Sequence, residues 1–152
     1  MTNPVSSPRE VFERLLHTSV TGAWDEFVEL YSDDAVIEMP FALPGIPRTS
    51  DGAALRARIL AMAANRPWTF DRSENVIVHE TTDPEVIVAE YELHGTVTAT
   101  KEPLALTFVM VITVRDGKIV YSRDYSNPLA TAQLTGRLPE LVEAYQQQVS
   151  SA

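Results

Sequence analysis

Cysteine is absent from the 152 residues, and histidine occurs only three times. The absence of cysteine excludes disulfides, thiolate metal sites and a thiol nucleophile. The three histidines, His17, His79 and His94, lack the paired spacing of zinc ligands. We therefore expect neither a disulfide framework nor a metal site in this protein.

Basic residues are also scarce, with 12 against 21 acidic ones, and the formal net charge is −9. Because no basic cluster is available to track phosphates, a nucleic-acid partner is not expected. No stretch is long and apolar enough for a membrane span, so no membrane partner is expected either. The polar opening MTNPVSSPRE lacks a signal-type apolar run, which favours the cytoplasm. The size predicts one domain, 1–152, with an ordered core at about 7–147.

The first half of the chain has the pattern of helices. Ser7-Pro8-Arg9-Glu10 combines a hydroxyl N-cap, proline at the first helical position and glutamate three residues after the cap, which together make a capping box. Apolar residues then recur at helical spacing. Further expected elements are a second helix that includes Trp24 to Tyr31 and ends at Asp33-Asp34, and a strand at 35–39. A proline-rich loop at 41–50 and a third helix starting at Ser50 or Asp51 follow.

The second half has the pattern of strands, near 76–79 and at 86–98, 104–115 and 118–126, followed by a short helix from about Pro139. Helices followed by a meander of strands indicate an α+β fold: a bent antiparallel sheet packed against three N-terminal helices, with a short C-terminal helix. No glycine-rich phosphate loop is present, and we expect no cofactor.

The hairpin around Asp116-Gly117 points to a candidate site. A two-residue turn at these positions places Asp124 opposite Val109, on a mostly apolar face with Val111 and Val120. Desolvation there would raise the pKa of Asp124 and suit it to acid-base catalysis. The alternative is that Asp124 lies near a sheet end and pairs with an arginine or a backbone amide.

Both faces of this hairpin are mostly apolar, whereas a sheet with one solvated side alternates apolar and polar residues. Three helices can cover only one face. We therefore predict that the other face is buried in a homodimer.

His94 is the second catalytic candidate. If the loop after the 86–98 strand closes so that His94 pairs with Val109, His94 and Asp124 lie on one face. A slip of one residue would reverse the faces and present Tyr91 and Leu93 instead.

A pocket for a small hydrophobic organic molecule is also expected. The large apolar residues that can line it include Tyr31, Met39, Phe41 and Trp68, together with Val109 and Val111 beside Asp124. The alternative for each is ordinary core packing.

Several phrases carry a family resemblance. Trp24-Asp25-Glu26-Phe27, the stretch 31–37 and 116–120, in this order of elements, resemble the nuclear-transport-factor-2-like superfamily of ketosteroid isomerases and SnoaL-like polyketide cyclases over nearly the whole chain. The ending at 123–128, RDYSNP, is most similar to the phenazine-biosynthesis A/B group. This resemblance implies a cone-shaped helix-on-sheet fold, a dimer through the outer sheet face and a buried small-molecule cavity.

The resemblance also implies roles for single residues. Asp124 falls on the catalytic glutamate of the phenazine group, whereas the pocket histidine of that group is replaced by Arg58, which argues against the same condensation chemistry. The general base of ketosteroid isomerase falls on Met39, and its oxyanion-hole tyrosine falls on Leu15. Neither side chain can move a proton or donate a hydrogen bond to an enolate, so steroid isomerisation is not expected.

The leading hypothesis is a cofactor-independent, SnoaL-like enzyme in which Asp124 moves a proton during isomerisation, cyclisation or dehydration of a hydrophobic metabolite. The alternative is a non-catalytic, dimeric ligand-binding module of the same fold. An epoxide hydrolase would need two carboxylates and an arginine around one water, and the sequence offers no clear second carboxylate.

Overall fold

The computed structural model describes residues 5–150, so both ends of the predicted domain, 1–4 and 151–152, lie outside the described residues. The helices are α1 (Pro8–Thr21), α2 (Trp24–Glu29), α3 (Gly52–Ala63), α4 (Pro128–Leu134) and α5 (Leu138–Ser150). The strands are β1 (Tyr31–Glu38), β2 (Thr49–Asp51), β3 (Trp68–Glu80), β4 (Val86–Val97), β5 (Pro103–Arg115) and β6 (Lys118–Ser126). They form one bent sheet in the order β2-β1-β6-β5-β4-β3, and the predicted α+β class is confirmed.

Side-chain caps fix where the first and third helices begin. The Ser7 Oγ accepts from the Glu10 backbone N at 3.3 Å, and the Ser7 backbone N donates to Glu10 Oε2 at 2.7 Å, so the predicted capping box is confirmed. Ser50 and Asp51 were the two candidate N-caps of α3, and Asp51 is the N-cap. Its Oδ1 accepts a hydrogen bond from the Ala54 N at 2.7 Å.

The sheet is mixed, whereas the sequence predicted a wholly antiparallel one. β1 pairs with β6 in parallel, with Ile37 beside Ser122. A parallel pair needs a long connection, and here α3 and the strands β3 to β5 intervene between β1 and β6. Two short elements were also missed, β2 and α4. The second of these begins where the Asn127 side chain accepts hydrogen bonds from the backbone of Leu129 and Ala130.

The helices α1 to α3 cover one face of the sheet, which we call the inner face. α1 packs on β3, β4 and β5, α3 packs on β1, and α2 fills the space between α1 and α3. Val11 and Phe12 of α1 are fully buried, and the Phe12 ring meets the Tyr91 ring edge-on with centroids 5.3 Å apart. The apolar face predicted for α1 is therefore the one that forms the core.

The apolar interior divides into two clusters. The main cluster lies under α1 to α3, and a smaller one is formed by Val97, Leu104 and Leu106 with residues of α4. Half-buried Phe70 and Phe108 pack against both clusters. The two aromatic rings therefore mark the boundary between the clusters.

The hairpin between β5 and β6 begins as predicted and then departs from the predicted register. Asp116 and Gly117 both have positive φ, 52° and 74°, as a type I′ turn requires, and Val114 pairs with Ile119. The next pair is Thr113 with Tyr121, so Val120 is an extra residue in β6, a β-bulge.

This bulge shifts every later pair of the hairpin by one residue. Asp124 lies opposite Met110, and the predicted pairing with Val109 is wrong. Because successive side chains of a strand point to opposite faces, the shift places Asp124 and Ser122 on the inner face. Val109 and Val111 remain on the outer face, across from Tyr125 and Arg123.

We expect Phe12→Ala to lower the free energy of unfolding by about 3–5 kcal/mol, because it leaves a cavity beneath Tyr91. The matched control is Glu13→Ala, the next residue of α1, whose exposed side chain should matter by less than about 0.5 kcal/mol. Urea unfolding followed by circular dichroism measures both changes. Equal effects of the two variants would contradict the assignment of the buried face.

Candidate functional site

Asp124 is a half-buried residue of β6 with one carboxylate oxygen enclosed in the interior. Its Oδ1 is buried and makes no hydrogen bond within the described residues, and the same holds for the Oγ of buried Ser122. Burial raises the pKa of Asp124 from its ordinary 3.8 to about 6. The nearby Ser122 hydroxyl and the positive charge of Arg58 oppose this shift in part. Asp124 therefore titrates close to neutral pH.

Two buried tyrosines flank this carboxylate. Tyr31 comes from the start of β1 and Tyr91 from the middle of β4, and both are 4% exposed. Burial, with the negative charge of Asp124 as the next cause, raises the pKa of both phenols above the ordinary value. Both hydroxyls therefore keep their protons and can donate hydrogen bonds at neutral pH.

The ring of Tyr91 is held by its neighbours. Its hydroxyl donates to the Met110 Sδ at 3.0 Å, and its ring stacks on Phe108 with centroids 5.2 Å apart. A thioether is a weak acceptor, so this hydroxyl can exchange its contact for a stronger one with a ligand oxygen.

Arg58 supplies positive charge from the helix side. It is half-buried in α3, and among the described residues no carboxylate lies within 4.0 Å of it. Its charge nevertheless acts on Asp124 and lowers the pKa of that group. An unpaired guanidinium near a carboxylate can bind negative charge that develops on a ligand.

These groups together can perform proton transfer. Asp124 can exist in either protonation state near neutral pH, which suits a general acid or base. The Tyr31 and Tyr91 hydroxyls and Arg58 are donors that can stabilise an oxyanion in a site of low polarity. The arrangement needs no group beyond these side chains to move a proton between two carbon or oxygen atoms.

His94 does not belong to this constellation. It pairs with Ala105 rather than Val109 and lies on the outer face, whereas the bulge has turned Asp124 inward. The predicted common face is therefore wrong. Tyr91 and Leu93 share the face of Asp124, and the cause is the bulge in β6 and not a one-residue slip of β4.

The imidazole of His94 belongs to an ionic cluster on the outer face. Its Nε2 lies 2.9 Å from Glu92 Oε2 and 3.7 Å from Glu74 Oε2. These three side chains bring possible metal-ligand atoms within 4.8 Å of one another. Arg72 already provides the cation, since its Nε donates to Glu74 at 2.6 Å and its Nη2 lies 3.2 Å from His94 Nδ1.

The predicted ligand-binding residues separate into three groups. Tyr31 and Arg58 lie near Asp124. Others belong to the apolar interior or its edge: Leu15 in the main cluster, Trp68 beside the smaller cluster, and half-buried Met39 just after β1. Three are on the outside: Val109 and Val111 on the outer face, and Phe41, which is 59% exposed with its ring 5.6 Å from that of Tyr125.

Ser122 was missed as a site residue, and Tyr91 had been assigned to the site only if the register slipped. The positions of Ser122 and Tyr91 on the same face as Asp124 both result from the bulge at Val120. No turn signal in the sequence marks this bulge. Ser122 itself gave no sign in the sequence, since Arg123 and Asp124 beside it are polar as well.

The bent sheet with helices on its inner face is the fold of the nuclear-transport-factor-2-like superfamily, which confirms that resemblance. A crystal structure from Bacillus subtilis, provisionally named an isomerase, superposes with a TM-score of 0.77 at 27% identity, covering 85% of this chain and 92% of that one. The phenazine biosynthesis-related protein PhzB2 of Pseudomonas aeruginosa gives a TM-score of 0.66 at 20% identity over 85% and 80% of the two chains, which shows the fold alone.

The chain belongs to the SnoaL-like domain family, whose model matches residues 12–122. It is 31% identical to the uncharacterized PhzA/B-like protein PA3332 of Pseudomonas aeruginosa over 124 residues, 81% of this chain and 84% of that protein. It is also 32% identical to the uncharacterized protein YesE of Bacillus subtilis over 112 residues, 72% of this chain and 74% of that protein. None of the helices between residues 5 and 150 is long and apolar enough to cross a membrane.

We expect the buried carboxyl of Asp124 to make stability fall as pH rises. Folded Asp124 holds its proton more tightly than the unfolded chain does, so the folded state loses stability between about pH 3.8 and about pH 6. Relative to the wild type, Asp124→Asn should therefore gain about 3 kcal/mol in unfolding free energy over this range. Urea unfolding of both proteins at about pH 4 and about pH 7 measures this change in relative stability.

The control for this pH dependence is Asp34→Asn, which removes an exposed carboxylate from β1 and should change stability by less than about 0.5 kcal/mol. The titration can also be read directly from the carboxyl ¹³C shift of Asp124. A midpoint near 4 would contradict the desolvated environment.

Proposed function

We propose that this protein is a cofactor-independent enzyme that moves a proton on a small, hydrophobic, carbonyl-bearing molecule. Asp124 is the general acid-base group of this reaction. The observation that carries the proposal is the buried Oδ1 of Asp124, which has no hydrogen-bond partner within the described residues and belongs to a carboxyl group with a pKa near 6. A group of this kind is costly to maintain for folding alone.

The proposed step begins with ionised Asp124. Its carboxylate takes a proton from a carbon next to the substrate carbonyl, and the electron pair of the broken C–H bond forms an enolate. The Tyr31 or Tyr91 hydroxyl and Arg58 stabilise the enolate oxygen. Protonated Asp124 then returns the proton to another carbon, which gives an isomer. If the enolate carbon instead attacks a second carbonyl, a ring closes and Asp124 protonates the new alkoxide.

The substrate is proposed to bind between the two apolar clusters, where half-buried Phe70 and Phe108 pack against both. Phe108 also stacks on Tyr91, so a molecule at this boundary contacts one of the tyrosines that flank Asp124. An apolar site with a few convergent polar groups is what a small organic ligand requires.

The family supports the same class of reaction. SnoaL-like proteins share this fold with proteins that are provisionally named polyketide cyclases. The similar structure from Bacillus subtilis carries the name of an isomerase. Isomerisation and cyclisation can both proceed by proton transfer, which agrees with the role assigned to Asp124. Residence in the cytoplasm stays a prediction.

The proposal can be tested by hydrogen–deuterium exchange in D₂O. The protein is incubated with a panel of cyclic enones and β-keto esters, and the loss of the α-proton signal is followed by ¹H NMR. Asp124→Asn should slow the catalysed exchange by about 10²-fold or more. The wild-type rate should rise with pH through a midpoint near 6, because the ionised form is the base.

The matched control is His94→Gln, which alters a polar strand residue on the opposite face and should leave the exchange rate within about twofold of the wild type. Exchange by Asp124→Asn at the wild-type rate would contradict the role of Asp124. If the panel binds but none of it exchanges, the protein is better described as a ligand-binding module.

We also propose that the outer face of the sheet pairs with a second copy of the chain. Helices α1 to α3 lie on the inner face, yet the outer face still carries half-buried apolar side chains at Val88, Val109 and Val111, with Tyr121 and Tyr125 beside them. An apolar surface of this kind is what a two-fold symmetric interface requires, because one patch then meets its own copy.

For the dimer, light scattering after size exclusion should give twice the chain mass of 16.9 kDa. The double variant Val109→Lys and Val111→Lys should shift the protein towards the monomer, because it buries two charges in the proposed interface. The control, Ala57→Lys, adds a charge on the exposed side of α3 and should leave the mass unchanged. A wild-type mass of one chain would overturn the proposal.

A further inference from the structure

Arg66 is a second basic residue on the helix side of the interior, just after α3 and before β3. Its guanidinium carbon lies 3.4 Å from the centroid of the Trp24 ring, so the side chain stacks on that indole. Its backbone carbonyl accepts from the hydroxyl of Thr98, the residue after β4, at 2.9 Å. Both ends of the residue are therefore held in place.

The guanidinium of Arg66 is buried along one edge and has no acceptor there. The Nε and Nη2 atoms are buried and make no hydrogen bond within the described residues. These two nitrogens form the side of the guanidinium that presents two parallel N–H groups, the edge that matches the two oxygens of a carboxylate. The unused donors are thus arranged as a preformed fork.

No charge of the protein compensates this cation. Among the described residues no carboxylate lies within 4.0 Å of Arg66, although the chain has 21 acidic residues. Burial is what lowers the pKa of its guanidinium. The face of the Trp24 ring stabilises the positive charge through a cation–π contact. It does not provide a hydrogen-bond acceptor for the N–H groups. Buried donors of this kind are usually satisfied, so a missing acceptor indicates a missing ligand.

Arg66 is connected to the Asp124 site by aromatic side chains. The Trp24 ring lies 5.6 Å from Phe27, and Phe27 lies 5.8 Å from Tyr31, whose phenol feels the charge of Asp124. On the helix side, α3 rises roughly 7.5 Å from Arg58 to its last residue, Ala63, and Arg66 follows three residues later. An extended or ring-bearing molecule of modest size spans such a distance.

We propose that Arg66, stacked on Trp24, binds an anionic group of the ligand, a carboxylate held by the Nε and Nη2 edge. This inference deepens the proposed function and rests on it for the position of the reacting carbon, which lies at Asp124. The substrate class is then a hydrophobic organic acid whose carboxylate is separated from the reacting carbonyl by an apolar segment. The aromatic residues Trp24, Phe27 and Tyr31 flank that segment.

The test compares two probes that differ only in charge, 2-naphthoate and its neutral amide, 2-naphthamide. Isothermal titration calorimetry of the wild type should show 2-naphthoate binding at least about tenfold more tightly than the amide. Arg66→Gln should lose this preference and bind 2-naphthamide as the wild type does. Equal binding of the two probes by the wild type, or no binding of 2-naphthoate, would overturn the proposal.

The matched control is Arg137→Gln, which removes an exposed arginine just before α5 and should keep the wild-type preference. NMR of the wild-type protein gives a direct readout that does not depend on the folding of any variant. The side-chain Nε–H resonance of Arg66 should shift on addition of 2-naphthoate and should not shift on addition of 2-naphthamide. An unshifted resonance at saturation would overturn the assignment of this edge.

A structural role for Arg66 would give a different result. Arg66→Met removes an unpaired buried cation, so we expect its melting temperature to equal or exceed that of the wild type. A clear fall in melting temperature, with the carboxylate preference unchanged in Arg66→Gln, would identify a structural residue.

The tests distinguish a failure of the Arg66 proposal from a failure of the Asp124 proposal. Asp124→Asn should bind 2-naphthoate at least as tightly as the wild type, because it removes a negative charge and leaves Arg66 intact. If exchange fails in every substrate tested while the preference for 2-naphthoate holds, the protein is a binder of organic acids. If Asp124 proves catalytic and the preference is absent, the substrate is neutral and the Arg66 proposal is wrong.

Discussion

The position of Val120 as an extra residue in β6 is the constraint on which the candidate site depends. Without this bulge, the type I′ turn at Asp116 and Gly117 would carry its register to the end of the hairpin, and Asp124 would face outward with Val109. With the bulge, Asp124 and Ser122 face inward, opposite Met110 and Ile112. A single residue therefore moves a carboxylate from one face of the sheet to the other.

The interior that results contains polar groups that folding alone does not require. Asp124 and Ser122 have buried oxygens without partners in the described chain, and Arg66 has two buried nitrogens in the same condition. Each lowers the stability of the folded state, because its hydrogen bonds to water are lost without replacement. Such groups are expected at sites where a ligand completes the missing contacts.

The rest of the fold provides the rigidity that such a site needs. Phe12 packs against Tyr91 from α1, and Phe108 stacks on the same ring from β5. Asp51 fixes the start of α3, the helix that carries Arg58. Arg58, Tyr91 and Asp124 thus project from elements that are held by buried apolar contacts and side-chain caps.

Local signals in the sequence determined much of this protein. The capping box at Ser7, the Asp116-Gly117 turn and the three long strands are short-range patterns, and each is confirmed. The family resemblance, which combines short phrases with the order of elements, is confirmed as well. Only the tertiary structure decided the parallel pairing of β1 with β6, the bulge at Val120 and hence the separation of His94 from Asp124. The physical reason is that strand alternation has a period of two residues, so the face of every side chain depends on a register that packing against other elements sets.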